Sequence, residues 1–362
     1  MPQDRIRIKD IARMAGVSEG TVDRVLHNRG KVSSSSADKV NEVLKKINYS
    51  PNLIARTLGI SKQHRIGVLI PYPESDPYWK QSEVGLKAGL KQLAQFSIDV
   101  DIKTVYYDLH DNHDFQRAAL EIYHSKPDGV LVAPLFYFAS IPFFKSLKDA
   151  NIPFVLFNTP IVEANALSFI GQDLEQSGVL AAELVSIGQP QHSKFIFLHI
   201  DEDVANSVHL KEKEKGFINY LTKHKDSFLA TSVTLGPPAN DAFDKQLTEL
   251  ANQTDLAGIA VSTSKAYLIA TAFKNQNPKI RIVGYDLIPP NIELLKSNKI
   301  DFLINQNPAR QAKLGIQTMA NYLLFKREAR ARYLFPLDVI TAQNVNTYLS
   351  HSGNPKLSAS DF

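Results

Sequence analysis

Apolar residues follow two different rhythms along this chain. Over residues 8–26 they recur at steps of three and four, at Ile8, Ile11, Ala12 and Ala15, then at Val22, Val25 and Leu26. That spacing predicts two short helices, each with one buried side. Gly16 lies between them, where a backbone free to take positive φ ends the first helix. Ser18 follows as the N-cap of the second. Small Ala12 and Ala15 beside the turn let the second helix cross the first closely, leaving Glu19, Gly20, Asp23 and Arg24 on the outer face. A third helix is predicted to open at Val32-Ser33 and to continue through Val40, Val43, Leu44 and Ile47. Next comes Tyr49-Ser50-Pro51-Asn52-Leu53-Ile54-Ala55-Arg56-Thr57-Leu58, with proline at a helix start.

From Arg65 the rhythm changes. Ile66-Gly67-Val68-Leu69-Ile70 is a continuous apolar run, the pattern of a strand covered on both faces. Helices are predicted near 83–95, 115–124 and 141–150, between strands at 100–106, 129–133 and 153–157. The pattern restarts after Asn158, with strands at 168–171, 195–200, 229–234, 258–262, 282–284 and 302–305 and helices between them. Such alternation predicts parallel sheets with right-handed crossovers, here in two doubly wound lobes.

A length of 362 residues suits a small module joined to a larger one, and 44% apolar content can bury a substantial core. Charge sharpens that division. Residues 1–64 hold 12 Lys/Arg against 6 Asp/Glu, a net of +6, whereas the rest hold 29 against 31. A basic head on a nearly neutral body is the footprint of a module that meets phosphates. Cysteine is absent, which excludes disulfides, thiolate metal sites and thiol nucleophiles. No secretory h-region and no run of about 18 apolar residues is present, so a soluble cytoplasmic protein is expected, with no membrane partner.

Enzyme fingerprints are missing: no G-x-G-x-x-G follows a strand, and neither a P-loop nor a G-x-S-x-G elbow occurs. His110 and His113 in Asp108-Leu109-His110-Asp111-Asn112-His113-Asp114 have the look of a metal cluster. Their position between a strand and a helix reads instead as a polar turn with an N-cap. No catalytic residue, metal or cofactor is assigned. An α/β enzyme or an exported sugar-binding protein remains the alternative to a regulator.

In open α/β sheets ligands sit beyond the carboxyl ends of strands. Asp76-Pro77-Tyr78-Trp79 follows the first strand, and its two rings can cover the apolar face of a sugar. Asp286 ends a strand of the second lobe, where a carboxylate can accept from neighbouring hydroxyls. Gln306 ends the next and can both donate and accept.

The run IKDIARMAGVSEGTVDRVLHNRGKVS, followed by KVNEVLKKINYSPNLIARTL, resembles without a gap the lactose-repressor family of bacterial transcription regulators. The resemblance implies a helix-turn-helix head at 1–50 and a hinge helix and linker at 51–63. It implies a two-lobed effector and dimerisation core of the type I periplasmic-binding-protein kind at 64–350, with a flexible tail at 351–362. Lobe one would comprise 64–160 and 307–335, lobe two 161–306 and 336–350, with crossings near 158–162, 305–308 and 335–338. The implied partners are double-stranded operator DNA, a small sugar-like effector and a second copy of the chain. DNA contacts fall on Lys9, Ser18, Glu19, Gly20, Thr21, Asp23, Arg24, Asn28, Lys31 and Ser33 in the head, and on Asn52, Ala55 and Leu58 in the hinge. Leu58 matches the residue that wedges between base pairs in the minor groove. Arg24 is placed for a guanine or a phosphate, while Glu19 and Asp23 can accept from cytosine.

The segment around 284–308 resembles the ribose-binding branch of the same superfamily, whose equivalents of Asp286 and Gln306 hold sugar hydroxyls. Lys211 falls near that branch's sugar-binding arginine, without the bidentate fork. Asn158-Thr159 stands where an Asp-Arg pair is usual, Thr263-Ser264 where Asn-Asp is usual, and Ala133 where an asparagine is expected. These departures point away from a plain aldopentose, towards a larger or partly apolar sugar-type effector.

Overall fold

A computed structural model describes residues 8–26, 30, 32–47, 64–95, 100–224, 228–238 and 240–352. Contacts divide the chain into two units, Met1–Gly59 and Ile60–Phe362, and each is described by itself.

The head packs α1 (Ile8–Ala15), α2 (Glu19–Leu26) and α3 (Ser34–Lys46) around buried Ile11, Ala12, Ala15, Val22 and Val40. Gly16 takes φ +63° and turns the chain between α1 and α2. Ser18 accepts from the Thr21 amide at 3.1 Å and so caps α2. Ser33 caps α3 the same way, accepting from the Ser36 amide at 3.3 Å.

The larger unit runs β1 (His64–Pro71), α4 (Pro77–Gln95), β2 (Val100–Tyr107), α5 (Asn112–His124), β3 (Gly129–Val132), α6 (Tyr137–Asp149), β4 (Phe154–Phe157) and β5 (Ser168–Gly171). It continues through α7 (Leu174–Ser186), β6 (Lys194–Ile200), α8 (Val208–His224), β7 (Leu229–Leu235), α9 (Asp241–Ala251), β8 (Leu256–Val261), α10 (Ala270–Gln276) and β9 (Arg281–Tyr285). Last come α11 (Pro289–Lys296), β10 (Phe302–Asn305), α12 (Pro308–Phe325), β11 (Arg332–Leu334), β12 (Asp338–Ile340) and α13 (Val345–Ser352).

Two six-stranded sheets result, ordered β2-β1-β3-β4-β5-β11 and β7-β6-β8-β9-β10-β12. Every pair is parallel except β10 with β12. Each lobe therefore repeats one winding, and the strand order reverses beside β1 in the first sheet and beside β6 in the second. Those reversal points open the crevice in which ligands of such sheets are held. Inward residues such as Val68, Leu131 and Leu156 in one lobe, and Ile196, Ile259 and Ile282 in the other, are fully buried or nearly so, as strands covered by helices on both faces require.

One expectation is corrected. Ser168–Gly171 does not open the second lobe: it pairs in parallel with β4, Leu156 opposite Phe169, inside the first sheet. A four-residue strand buried at every position carries no periodicity to say which sheet it joins. The stretch after Asn158, expected to cross between lobes, instead makes a short 3-10 turn, Val162–Ala164, within the lobe. The chain passes between the sheets after Gly171, after Asn305 and after Leu334. Helix α4 also starts six residues ahead of its predicted position 83, which puts Tyr78 and Trp79 in its first turn. Asp111 N-caps α5 by accepting from the His113 amide at 2.8 Å, the polar turn read from the sequence.

Helices α7 and α8 meet almost backbone to backbone. A Cβ at Gly178 would lie 1.9 Å from the Lys213 carbonyl oxygen, so only glycine fits without moving α8. Gly178→Ala is expected to cost about 1–3 kcal/mol, as overpacking does, seen as a lower denaturation midpoint. Gly236→Ala, which meets nothing within 4 Å, should leave the midpoint unchanged. Equal midpoints for both variants would show that the α7–α8 contact is not close-packed.

Candidate functional site

The two lobes face each other across a cavity of about 450 Å³, lined from both sheets' carboxyl ends. From lobe one, Asp76 closes the turn after β1. Its Oδ1 accepts from the Tyr78 amide at 2.7 Å, capping α4, whose first residue is Pro77. Tyr78 and Trp79 meet edge to face at 4.9 Å, and Trp79 leans on Phe157 at 6.2 Å. The Tyr78 hydroxyl accepts from Asn158 Nδ2 at 2.6 Å. Asn158, at the end of β4, holds φ +66°, a turn that asparagine tolerates.

From lobe two, Asp286 follows β9 at φ +68° and is only 1% exposed. Its Oδ1 accepts from the Gln306 amide at 3.0 Å and its Oδ2 from Gln306 Nε2 at 2.6 Å. Burial pushes this carboxyl up to about 6, against the lowering pull of Lys213 and the Gln306 donors. Lys213, on α8, is 2% exposed. Its ammonium donates to Ser262 O and Gln306 Oε1, each at 3.2 Å, and sits 3.8 Å from the centre of the Tyr285 ring. Burial brings it down to about 8, while Asp286 and Glu202 hold it up.

The lobes touch through polar contacts at the cleft. Ser264 Oγ donates to Asp76 Oδ2 at 3.0 Å, Gln81 Nε2 to Leu287 O at 3.0 Å, and the Phe138 amide to Asn206 Oδ1 at 3.0 Å. Burial raises the Asp76 carboxyl, opposed by the Tyr78 amide and the Ser264 hydroxyl. Three buried cleft atoms have no hydrogen-bond partner among the described residues: Asn112 Oδ1, His209 Nδ1 and Thr263 Oγ1. Burial, aided by nearby Lys213 and His199, lowers His209 to about 3, so its ring is neutral near pH 7. A polar crevice with unsatisfied acceptors, two aromatic rings and a held carboxylate suits a small polyhydroxylated ligand.

Of the residues read from the sequence, Asp76, Tyr78, Trp79, Asn158, Thr263, Asp286 and Gln306 come together on this cavity. Lys211 does not. It is exposed, and it lines a separate groove on the side of Tyr137 and Arg332. Helix geometry explains the correction, since a shift of two positions turns a side chain by about 200°. Lys213, missed in the sequence, is the lysine that faces the cavity. Its signal was its place four residues before buried Phe217, on the same helix face. His209, Lys265 and Glu202 were missed as well. They lie on loops and first turns, where no periodicity marks an inward side.

In the head, Lys9, Ser18, Glu19, Gly20, Arg24 and Ser33 are exposed, and Thr21 and Asp23 half-buried. Thr21 lies beside the cap, its Oγ1 2.9 Å from Ser18 Oγ. Asn28, Lys31, Asn52, Ala55 and Leu58 lie outside the described residues.

Residues 7–52 match the model of "Bacterial regulatory proteins, lacI family", and residues 66–327 that of a periplasmic binding protein domain. The HTH-type transcriptional regulator MalR of Staphylococcus xylosus is 26% identical over 231 residues, 60% of this chain and 61% of that protein. Catabolite control protein A from the same organism is 44% identical over 82 residues, 23% of this chain and 25% of its own length. The chain thus spans less than two thirds of the curated relatives it matches. A candidate LacI transcriptional regulator from Bacteroides fragilis superposes with a TM-score of 0.72 at 26% identity, covering 79% of this chain and all of that one. A periplasmic ribose ABC transporter structure from Conexibacter woesei shares the fold, with a TM-score of 0.67 at 18% identity over 80% of this chain and 96% of its own.

If a ligand hydroxyl donates to ionised Asp286, affinity is full above about pH 6 and falls as pH drops through that value. Asp286→Asn should cost about 1.5–3 kcal/mol at pH 7.5, the worth of a hydrogen bond to a charged group. Calorimetric titration at pH 7.5 and pH 5 checks both. Equal affinity at the two pH values would remove the carboxylate from ligand binding.

Proposed function

We propose that the chain, which belongs to the periplasmic binding protein domain family over residues 66–327 and matches the lacI family of bacterial regulatory proteins over residues 7–52, is a sequence-specific DNA-binding transcription regulator. Its operator affinity responds to a small sugar-like effector held between the lobes. The carrying observation is the pairing, in one chain, of a helix-turn-helix with a polar exposed α2 face and a bilobal body whose cleft presents Asp286, Gln306, Tyr78 and Trp79.

The proposed chemistry follows from those parts. Two copies pair so that two heads meet a pseudo-palindromic operator, because the symmetry of the protein matches that of its site. The effector bridges the lobes and biases their arrangement, and that bias is read at the hinges. Effector and operator affinities are then coupled by about 1–3 kcal/mol. Repression is the expected output and the cytoplasm the expected location. No helix among the described residues is long and apolar enough to cross a membrane. The domain limits of 1–50, 51–63 and 64–350 belong to the same proposal, with lobe two now beginning after Gly171.

Arg24, exposed on α2, is assigned to a base edge or a phosphate. Arg24→Ala should weaken operator binding by about 1–3 kcal/mol and leave effector binding intact. Fluorescence anisotropy across a salt series separates its two roles: loss of base discrimination marks a base contact, whereas a shallower salt slope marks a phosphate. Unchanged affinity and slope would take Arg24 out of the interface. Leu58→Ala should reduce operator bending as well as affinity, and circular-permutation gel shifts measure this. Unaltered bending would end the wedge assignment.

A further inference from the structure

The charge of the cleft narrows the effector further, and this step rests on the sugar-responsive reading just given. Among the described residues, five carboxylates line the cavity, Asp76, Asp201, Glu202, Asp203 and Asp286, against two lysines and no arginine. Both lysines are already engaged. Lys265 Nζ donates to Glu202 Oε1 at 2.9 Å and to Ile200 O at 2.7 Å. Lys213 is taken by Ser262 O, Gln306 Oε1 and the Tyr285 ring. Neither histidine is a spare cation: His209 stays neutral, and His110 sits 3.6 Å from Asp201 Oδ2.

Backbone N–H groups at helix starts are the other common way to hold an anion. At three helix starts the protein's own acids occupy them. Asp76 takes the Tyr78 amide at the head of α4, Asp111 the His113 amide at the head of α5, and Asp203 the Asn206 amide of the short turn before α8. Burial already raises the carboxyls of Asp76, Glu202 and Asp286. Added negative charge would thus enter a poorly solvated site with no free counter-charge, where like-charge repulsion is strong.

We infer that the cleft takes a saccharide without an anionic group, neutral or amine-bearing, and rejects sugar phosphates and uronates. Glu202 acts as a specificity-setting residue by keeping Lys265 neutralised.

The test uses the full chain and matched ligand sets on pentose, hexose and disaccharide frames. Each set contains the free sugar, its amino derivative, its uronate and its terminal phosphate. Isothermal titration calorimetry reads affinity, and anisotropy on operator DNA reads the response. Within the set that binds, the neutral or amine-bearing member should bind at least about tenfold tighter than either anion, about 1.4 kcal/mol. Glu202→Gln, which leaves the Lys265 charge without its carboxylate, should narrow that gap. An anionic member binding as tightly or more tightly would overturn the proposal while leaving the sugar-responsive reading standing, and so would a gap unchanged in Glu202→Gln. Silence from every set in both readouts would instead overturn the sugar-responsive reading, and this proposal with it.

Discussion

A carboxylate removed from water must be satisfied by the protein around it, and Asp286 imposes that constraint on the whole cleft. Its two oxygens take the amide and side chain of Gln306, which lies where the chain crosses from lobe two to lobe one. The Gln306 carbonyl accepts from Gln311 Nε2 at 2.7 Å, and Gln311 Oε1 accepts from the Asn158 amide at 3.0 Å at the end of β4. Asn158 reaches Tyr78. One thread of hydrogen bonds therefore runs from lobe two through a crossing into lobe one, ending on the aromatic pair. Each member is buried, so breaking a link strands a polar group at a cost of about 1–3 kcal/mol.

The same economy governs the hinge. Gln172, at the first crossing, donates from Nε2 to Asn305 O at 2.9 Å and to Pro336 O at 2.8 Å, tying it to the other two crossings. Asn307 Nδ2 donates to Asp338 Oδ2 at 3.1 Å beside that knot. Side-chain amides therefore link the three segments that cross between the lobes. Amide contacts of this sort can exchange partners with little loss of buried apolar surface. A rearrangement of lobes driven by a ligand of modest affinity needs that property, because a ligand can shift an equilibrium only by its differential affinity for the two states.

Much of this was legible in the residues. Alternating apolar runs announced two doubly wound lobes, and the glycine-turned helix pair announced the head. Strand ends that carried Asp76, Asn158, Asp286 and Gln306 already marked the crevice. What stayed hidden shares a physical cause. Ser168–Gly171 is buried throughout, so its sequence could not say which sheet it joins. Lys211 and Lys213 differ by two places on one helix, and only the partner at Phe217 tells which turns inward. Ser264, a small polar residue after β8, gains meaning only when the opposite lobe brings Asp76 to it. Contacts between distant segments are not written in local periodicity.

If cleft and operator share one conformational equilibrium, linkage makes the coupling equal in both directions. Effector affinity measured calorimetrically on the free protein and on its operator complex tests this most directly. Operator should change effector affinity by the same factor, roughly 5–150-fold, by which effector changes operator affinity. Identical effector affinities with and without DNA would contradict it.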